Sequence, residues 1–220
     1  MFAHIHQNVT EILGILPEHV TLVAAGKTRR PEELQAAADA GVCIIGHNYV
    51  QEAQAAVDAL GRPVRWHMIG HLQRNKAKLA VELFDMVETV DSLRLARALD
   101  KAAGEAGKRL PVLIEVNSGR EDNKHGAEPN SVKQLAQDIC ECQHLELQGL
   151  MTMGPFLEEA ESMRPYFQLT RELFDGLRGM NLPGADLQFL SMGMSDSYAV
   201  AIEEGANLVR IGTSLFGARA

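Results

Sequence analysis

Lys27 follows an apolar run, VTLVAA over residues 20–25, with only Gly26 between. A lysine at the end of a buried strand holds its ammonium in poorly solvated surroundings. That lowers its pKa and favours the neutral amine that attacks a carbonyl to form a Schiff base. The same residue also reads as a solvated lysine opening the basic loop KTRR. Two segments near the other end of the chain bear on that choice. SMGMS (191–195) and RIGTS (210–214) place Gly, Ser and Thr directly after apolar runs, and so offer backbone N–H groups and hydroxyls to a phosphate. Ser195 also precedes a helical pattern, DSYAVAIEEG, whose N-terminus would favour an anion. Either loop alone reads as a Gly-rich turn. Together with a strand-end lysine they describe a site for a phosphorylated carbonyl compound. Arg210 stands inside an otherwise apolar run and needs a partner there, either a ligand atom or a carboxylate such as Glu115. His67 and His71 are four apart, but a strand end and a loop would not align them as helical metal ligands, so no metal site is expected.

The elements that must position these residues alternate along the whole chain. Eight apolar runs read as strands: 20–25, 42–45, 64–69, 83–90, 111–117, 145–151, 187–192 and 207–212. Helical patterns lie between them, among them PEELQAAADA, NYVQEAQAAVDAL, SLRLARALDKAAGEA, SVKQLAQDICEC and EEAESMRPYFQLTRELFDGL. Pro31 suits a first helical turn, and Asp91 or Ser92 could cap the helix that follows. Such alternation gives parallel strands with right-handed crossovers, and eight repeats fit a (β/α)8 TIM barrel better than an open doubly wound sheet. In a barrel the site lies at the C-terminal strand ends. Here these read AAGKT, IGHNY, HMIGH, ETVDS, EVNSG, LMTMG, SMGMS and RIGTS, nearly all bearing Gly, hydroxyl, amide or charge. The chain stops soon after the eighth run. The last helix is therefore expected to be vestigial, with the N-terminal helix, amphipathic through Ile5, Val9, Ile12 and Leu13, covering the gap. With no linker or composition break, residues 1–220 are expected to form a single domain.

Bulk properties exclude several classes. Apolar residues make up 46% and charged residues 23%, the balance of a soluble globule. A net charge of -8 argues against a general nucleic-acid binder. No apolar run approaches a membrane span, and the N-terminus lacks the pattern of a signal peptide. Cys43, Cys140 and Cys142 are odd in number and suit neither a zinc site nor a thioredoxin motif, so a cytoplasmic location is expected.

The segments VAAGKT, GHNYVQEA, WHMIGHLQRNK, GLMTMG, LSMGMSDSY and VRIGTSLFGAR resemble the signature blocks of the pyridoxal phosphate homeostasis proteins, the YggS/PROSC family. They occur in the same order and run from Val23 to Arg219. The resemblance implies an alanine-racemase N-terminal-domain-like barrel without the racemase's second β domain, and pyridoxal 5′-phosphate (PLP) as cofactor. Lys27 is then the residue that forms the internal aldimine. Asn48 lies near the ring, and His67, Met68 and Gly70 line its face. Ser195, Gly212 and Thr213 hold the phosphate, with Ser191 and Met192 close by, and Arg210 faces the pyridine nitrogen. Two positions depart from the family pattern: His47 replaces an acidic residue, and Gly26 stands where Ser is more usual.

Three functions fit this reading. The resemblance favours a non-enzymatic PLP carrier in intracellular PLP homeostasis, with PLP and PLP-dependent apo-enzymes as partners, no nucleic acid or membrane, and a monomeric state. An amino-acid racemase is the alternative. An arginine on the pyridine side weakens the electron sink without abolishing racemisation. The related racemase, however, draws a tyrosine from a second domain, and Tyr49, Tyr166 and Tyr198 are not obviously placed for that role. A lysine-dependent aldolase acting on a sugar phosphate, with Glu115 or Asp91 as acid/base, ranks third.

Overall fold

A computed structural model describes residues 2–121, 124–155, 157 and 159–217. Helix α1 (Ala3–Ile15) leads into β1 (Thr21–Ala25), α2 (Pro31–Asp39), β2 (Ile44–His47) and α3 (Val50–Leu60). Then come β3 (Arg65–Met68), α4 (Ala77–Leu83), β4 (Met86–Val90) and α5 (Leu93–Glu105). The second half runs β5 (Leu110–Glu115), α6 (Val132–Cys140), β6 (Leu145–Met151) and α7 (Arg164–Gly179). It closes with β7 (Phe189–Ser191), α8 (Tyr198–Glu203), β8 (Leu208–Ile211) and α9 (Thr213–Phe216). All eight strands are parallel and pair in chain order, and β8 returns to β1 to close the barrel.

Strand parity sorts the side chains into two layers. Val23, Ile44, Ile69, Met86, Leu113, Met151 and Leu208 point inward and fill the barrel. Their neighbours point outward and pack under the helices, where Trp66, Phe84 and Phe167 are fully buried. Burying each such side chain stabilises the fold by about 2–3 kcal/mol. Helix α5 shows how a helix meets that layer: Leu95, Ala96, Leu99, Ala102 and Ala103 recur at helical spacing and are buried. Ser92 is the residue that caps it, its hydroxyl accepting from the Leu95 N–H at 3.4 Å. Pro31 opens α2, as its fixed φ favours, and Glu33 accepts from the Arg30 N–H at 2.9 Å.

Several elements differ from the sequence expectation: β2 runs Ile44–His47 rather than over 42–45, and α7 begins at Arg164, six residues into its expected pattern. The strand expected over 83–90 begins only at Met86, because the run before it is α4, with Ala77, Ala80, Val81 and Leu83 buried. A short apolar run carries no period that separates a buried strand from a buried helix. In α1, Ile5, Val9 and Ile12 are buried as expected, but Leu13 is 37% exposed. The expected gap after β8 holds the four-residue α9, and α1 packs beside it, the Asn8 amide donating to Leu215 O at 3.0 Å. Ala218 and Arg219, which end the last signature block, lie outside the described residues, as does Glu158 at the start of the α7 pattern. Among the described residues, no helix is long and apolar enough to cross a membrane.

Candidate cofactor site

The C-terminal strand ends enclose a cavity of about 340 Å³, within the range of about 300–1,000 Å³ usual for small-ligand sites. Lys27, Asn48, Ser195, Arg210, Gly212 and Thr213 all line it, drawn from strand ends, loops and the start of α9. Lys27 is half-buried, and its ammonium lies 5.4 Å from the centre of the Tyr49 ring. The next residue, Thr28, has φ 63°, a left-handed conformation that costs a β-branched residue about 1–3 kcal/mol. Its N–H donates to Glu52 at 3.2 Å on α3, which helps to hold the turn that presents Lys27.

On the far wall, Ser195 Oγ accepts from the N–H groups of Gly212 and Ser214, both at 3.4 Å. Such long bonds leave donor capacity for a stronger acceptor, and three cations (Lys27, Arg29 and Arg210) outnumber one carboxylate, Asp196, around the cavity. Donors of this kind beside an amine fit an aldehyde that carries a phosphate.

Arg210 forms part of the floor and is 3% exposed. Its guanidinium donates to Ser191 Oγ at 2.5 Å and to Thr152 O at 2.8 Å. Ser191 in turn donates to Glu88 at 2.6 Å, and the other oxygen of Glu88 meets His67 Nδ1 at 2.8 Å. Burial alone would push the Glu88 carboxyl up, but His67, Arg210 and Ser191 together hold it below its ordinary value. Burial pulls Arg210 down, opposed by Glu88 and Glu115, and a guanidinium stays charged regardless. Glu88 is thus the carboxylate joined to Arg210 through this relay, and the Glu115 that the sequence suggested also acts on the guanidinium, with the smaller influence.

The remaining expected site residues lie around this cavity rather than on its lining. Ser191 and His67 sit beneath Arg210 as just described. Gly70 borders neighbouring space, and a Cβ there would meet Asn48 O at 2.5 Å, so glycine lets Asn48 pack over the end of β3. Met68 and Met192 have outward parity and are buried in the layer between sheet and helices. Glu88 is the residue that sequence reasoning passed over. The signal was available: a carboxylate inside the apolar run MVETV needs a partner just as Arg210 does.

A second cavity of about 310 Å³ adjoins the first across Asn48, Ile69, Met153 and Met194. Glu115 lines it, and among the described residues its buried Oε2 has no hydrogen-bond partner. Burial and the Asp91 carboxylate push Glu115 up to about 7, against the pull of Arg210. At its rim, His71 Nδ1 lies 3.5 Å from Asp91, and its ring stacks on His125 with centroids 3.5 Å apart. Burial and His125 pull His71 below its ordinary value, against Asp91. Lys124, also on this rim, pairs with Glu121 at 2.7 Å and donates to Gly154 O at 3.1 Å.

The raised Glu115 value has a measurable consequence. Its folded pKa exceeds the unfolded one, so its contribution to stability is complete below about 4.5 and lost as pH rises to about 7. Glu115→Gln is expected to be the more stable chain at pH 8, by on the order of 3 kcal/mol, and to gain little at pH 4. Urea unfolding at the two pH values measures the difference. Equal gains at both would mean that Glu115 is not protonated in the folded chain.

Residues 2–220 match the family model described as alanine racemase, N-terminal domain. A pyridoxal phosphate homeostasis protein of Pasteurella multocida is 39% identical over 223 residues, covering 99% of this chain and 95% of that one. One from Aquifex aeolicus is 42% identical over 200 residues, covering 90% and 86%. The chain belongs to the pyridoxal phosphate homeostasis protein family. The structure of PipY from Synechococcus elongatus PCC7942 with PLP bound superposes at a TM-score of 0.89, with 33% identity, 97% of this chain and 100% of that one covered. A Clostridium difficile alanine racemase shares the fold at a TM-score of 0.86 and 17% identity. It covers 99% of this chain, which spans 60% of the racemase.

The two departures from the homeostasis-protein pattern meet in space. A Cβ built on Gly26 would lie 3.2 Å from His47 Nε2 and 3.0 Å from a Leu34 methyl. The imidazole therefore takes up room that a side chain at position 26 would use. His47 is 2% exposed, stacks on Trp66 with centroids 5.7 Å apart, and among the described residues has no hydrogen-bond partner on either ring nitrogen. Burial pulls it down to about 4, so it is an uncharged ring at pH 7 where the resemblance implies an acidic side chain.

Proposed function

We propose that residues 1–220 act as one PLP-binding domain that holds PLP as a Schiff base on Lys27 and serves as a non-enzymatic carrier in PLP homeostasis. The observation that carries this reading is the single cavity that brings Lys27, Arg210 and the Ser195–Gly212–Thr213 wall together. The PLP-bound PipY structure and the names of the curated relatives support it.

When bound, PLP supplies an electrophilic aldehyde, and an electron sink whose strength depends on protonation of its ring nitrogen. The residues of this chain divide the remaining work. Lys27 offers the amine. The N–H groups of Gly212 and Ser214 and the Ser195 and Thr213 hydroxyls would hold the phosphate, and Asn48 would lie near the ring. Arg210, fixed by Ser191 and Thr152, presents a permanent cation where a carboxylate would be needed to hold a pyridinium proton. That suits retention better than carbanion chemistry. His67 and Ser191 act through Glu88 and Arg210 rather than at the cavity surface, and Gly70 acts through the packing of Asn48. Recipients are proposed to be PLP-dependent apo-enzymes, reached from a monomer in the cytoplasm, where free thiols at Cys43, Cys140 and Cys142 persist.

The test has two arms. Purified chain supplied with PLP is expected to turn yellow, and borohydride is expected to fix the label on the peptide containing Lys27. A colourless, unlabelled chain would overturn the binding reading, and labelling by a sugar phosphate in the absence of PLP would favour the aldolase. Incubation of the loaded protein with L-alanine is expected to give D-alanine no faster than free PLP does. Faster turnover would replace the carrier with the racemase, for which Tyr49 beside Lys27 is the available proton donor.

A further inference from the structure

We propose that His71, Asp91 and His125 form a zinc site at the rim of the second cavity, separate from the proposed PLP cradle. The three side chains come from the segments after β3, β4 and β5, and their ligating atoms all lie within 4.8 Å of one another. The spacing argument against a metal at His67 and His71 does not reach this trio, since loops and not helical spacing bring it together.

Two imidazoles and one carboxylate are a borderline-metal donor set, and three protein ligands leave coordination positions open. Asp91 is oriented for the role. Ser92 Oγ donates to its Oδ1 at 2.9 Å, which leaves Oδ2 towards His71 Nδ1 at 3.5 Å. That separation is too long for a good hydrogen bond, so neither atom is committed to the other. An outer hydroxyl that fixes a ligating carboxylate is the usual supporting partner of a metal ligand.

The two histidines stack nearly parallel, with an interplanar angle of 10° and centroids 3.5 Å apart. Zinc–ligand bonds of about 2.0–2.2 Å in tetrahedral geometry set donors roughly 3.4 Å apart, so the donors must close by at most about 1.4 Å. The rings must also splay to aim their in-plane lone pairs at one point. The His71 side chain is 36% exposed and His125 is exposed, so both have room to turn. Both imidazoles border the cavity that holds Glu115 and Ser118, so the open positions of the metal face a space that a small anion or amine can enter.

Metal-stripped protein, with and without PLP, would be titrated with zinc chloride by calorimetry in a non-chelating buffer. The expected result is one saturable equivalent with micromolar or tighter affinity. His71→Ala, His125→Ala and Asp91→Asn should each weaken it by more than about tenfold, with Ser92→Ala smaller in effect. Variants at His4, His6, Cys43 and Cys142 should bind as the parent does, and Lys27→Ala should keep the zinc site whatever becomes of PLP. Circular dichroism checks that each variant is folded. Absence of saturable heat, heat that survives the His71 and His125 substitutions, or heat that depends on the cysteines would each overturn the proposal.

Discussion

Lys27→Ala is expected to remain colourless with PLP and to bind it about 100-fold more weakly than the parent, a loss of about 2.7 kcal/mol. The covalent tether goes, but Arg210 and the donors of Gly212, Ser214 and Ser195 stay where they are. Residual binding should therefore persist and respond to competition by inorganic phosphate. Stability without ligand should change by no more than about 0.5 kcal/mol, because Lys27 is half-buried and its ammonium lies over the exposed Tyr49 ring. The ligand-dependent part is where the difference lies. PLP at a hundred times its Kd should stabilise the parent by about 2.7 kcal/mol, which is about 5–10 °C in Tm for a chain of this length. At the same PLP concentration the variant should gain less than about 0.5 kcal/mol. Thermal shift and absorbance on the two chains measure both quantities. A variant that stays yellow, with label on another lysine such as Lys124, would move the tether away from β1.

How far the sequence could foresee this site follows from strand parity. The eight-strand barrel was legible because each apolar run is followed by turn residues and a helical pattern, and the ring order needs only that alternation. Lys27, Ser195, Arg210, Gly212 and Thr213 were legible because strand ends point to one mouth. Resemblance, however, assigns blocks, whereas a strand divides a block between two faces. His67 and Met68 are neighbours in the chain, yet His67 reaches Glu88 inside the barrel and Met68 packs beneath the helices. Ser191 and Met192 part in the same way. The run MVETV showed that Glu88 needs a partner, but its partners come from β3, β7 and β8, and no local pattern reports a contact between residues 103 positions apart. The His71–Asp91–His125 cluster escaped for the same reason, being assembled wholly from loops.

The buried relay makes Arg210 the residue whose loss should matter most to folding. Arg210→Met keeps the apolar stem but removes the cation and its hydrogen bonds to Ser191, Thr152 O and the Met153 sulfur. Glu88, 0% exposed, would keep only Ser191 and His67 as partners. Leaving a buried charge without its counterion costs about 3–5 kcal/mol, roughly 6–20 °C in Tm here. The pH dependence gives the cause away. In the parent, Glu88 is held below its unfolded value, so its contribution is present above about 4.5 and lost as pH falls through the lower folded value. Without Arg210, burial, the largest influence on that carboxyl, is opposed by less, and its pKa should rise. The penalty should then grow with pH, and be larger at pH 8 than at pH 4. Glu88→Gln placed on Arg210→Met should recover most of the loss at pH 8 and a smaller share at pH 4, because a neutral amide needs no counterion. Urea unfolding of the parent, the single variants and the double variant at both pH values closes the cycle. Additive losses, or a penalty that does not change with pH, would show that Arg210 stabilises the barrel by packing alone and that the Glu88 relay contributes nothing to holding it.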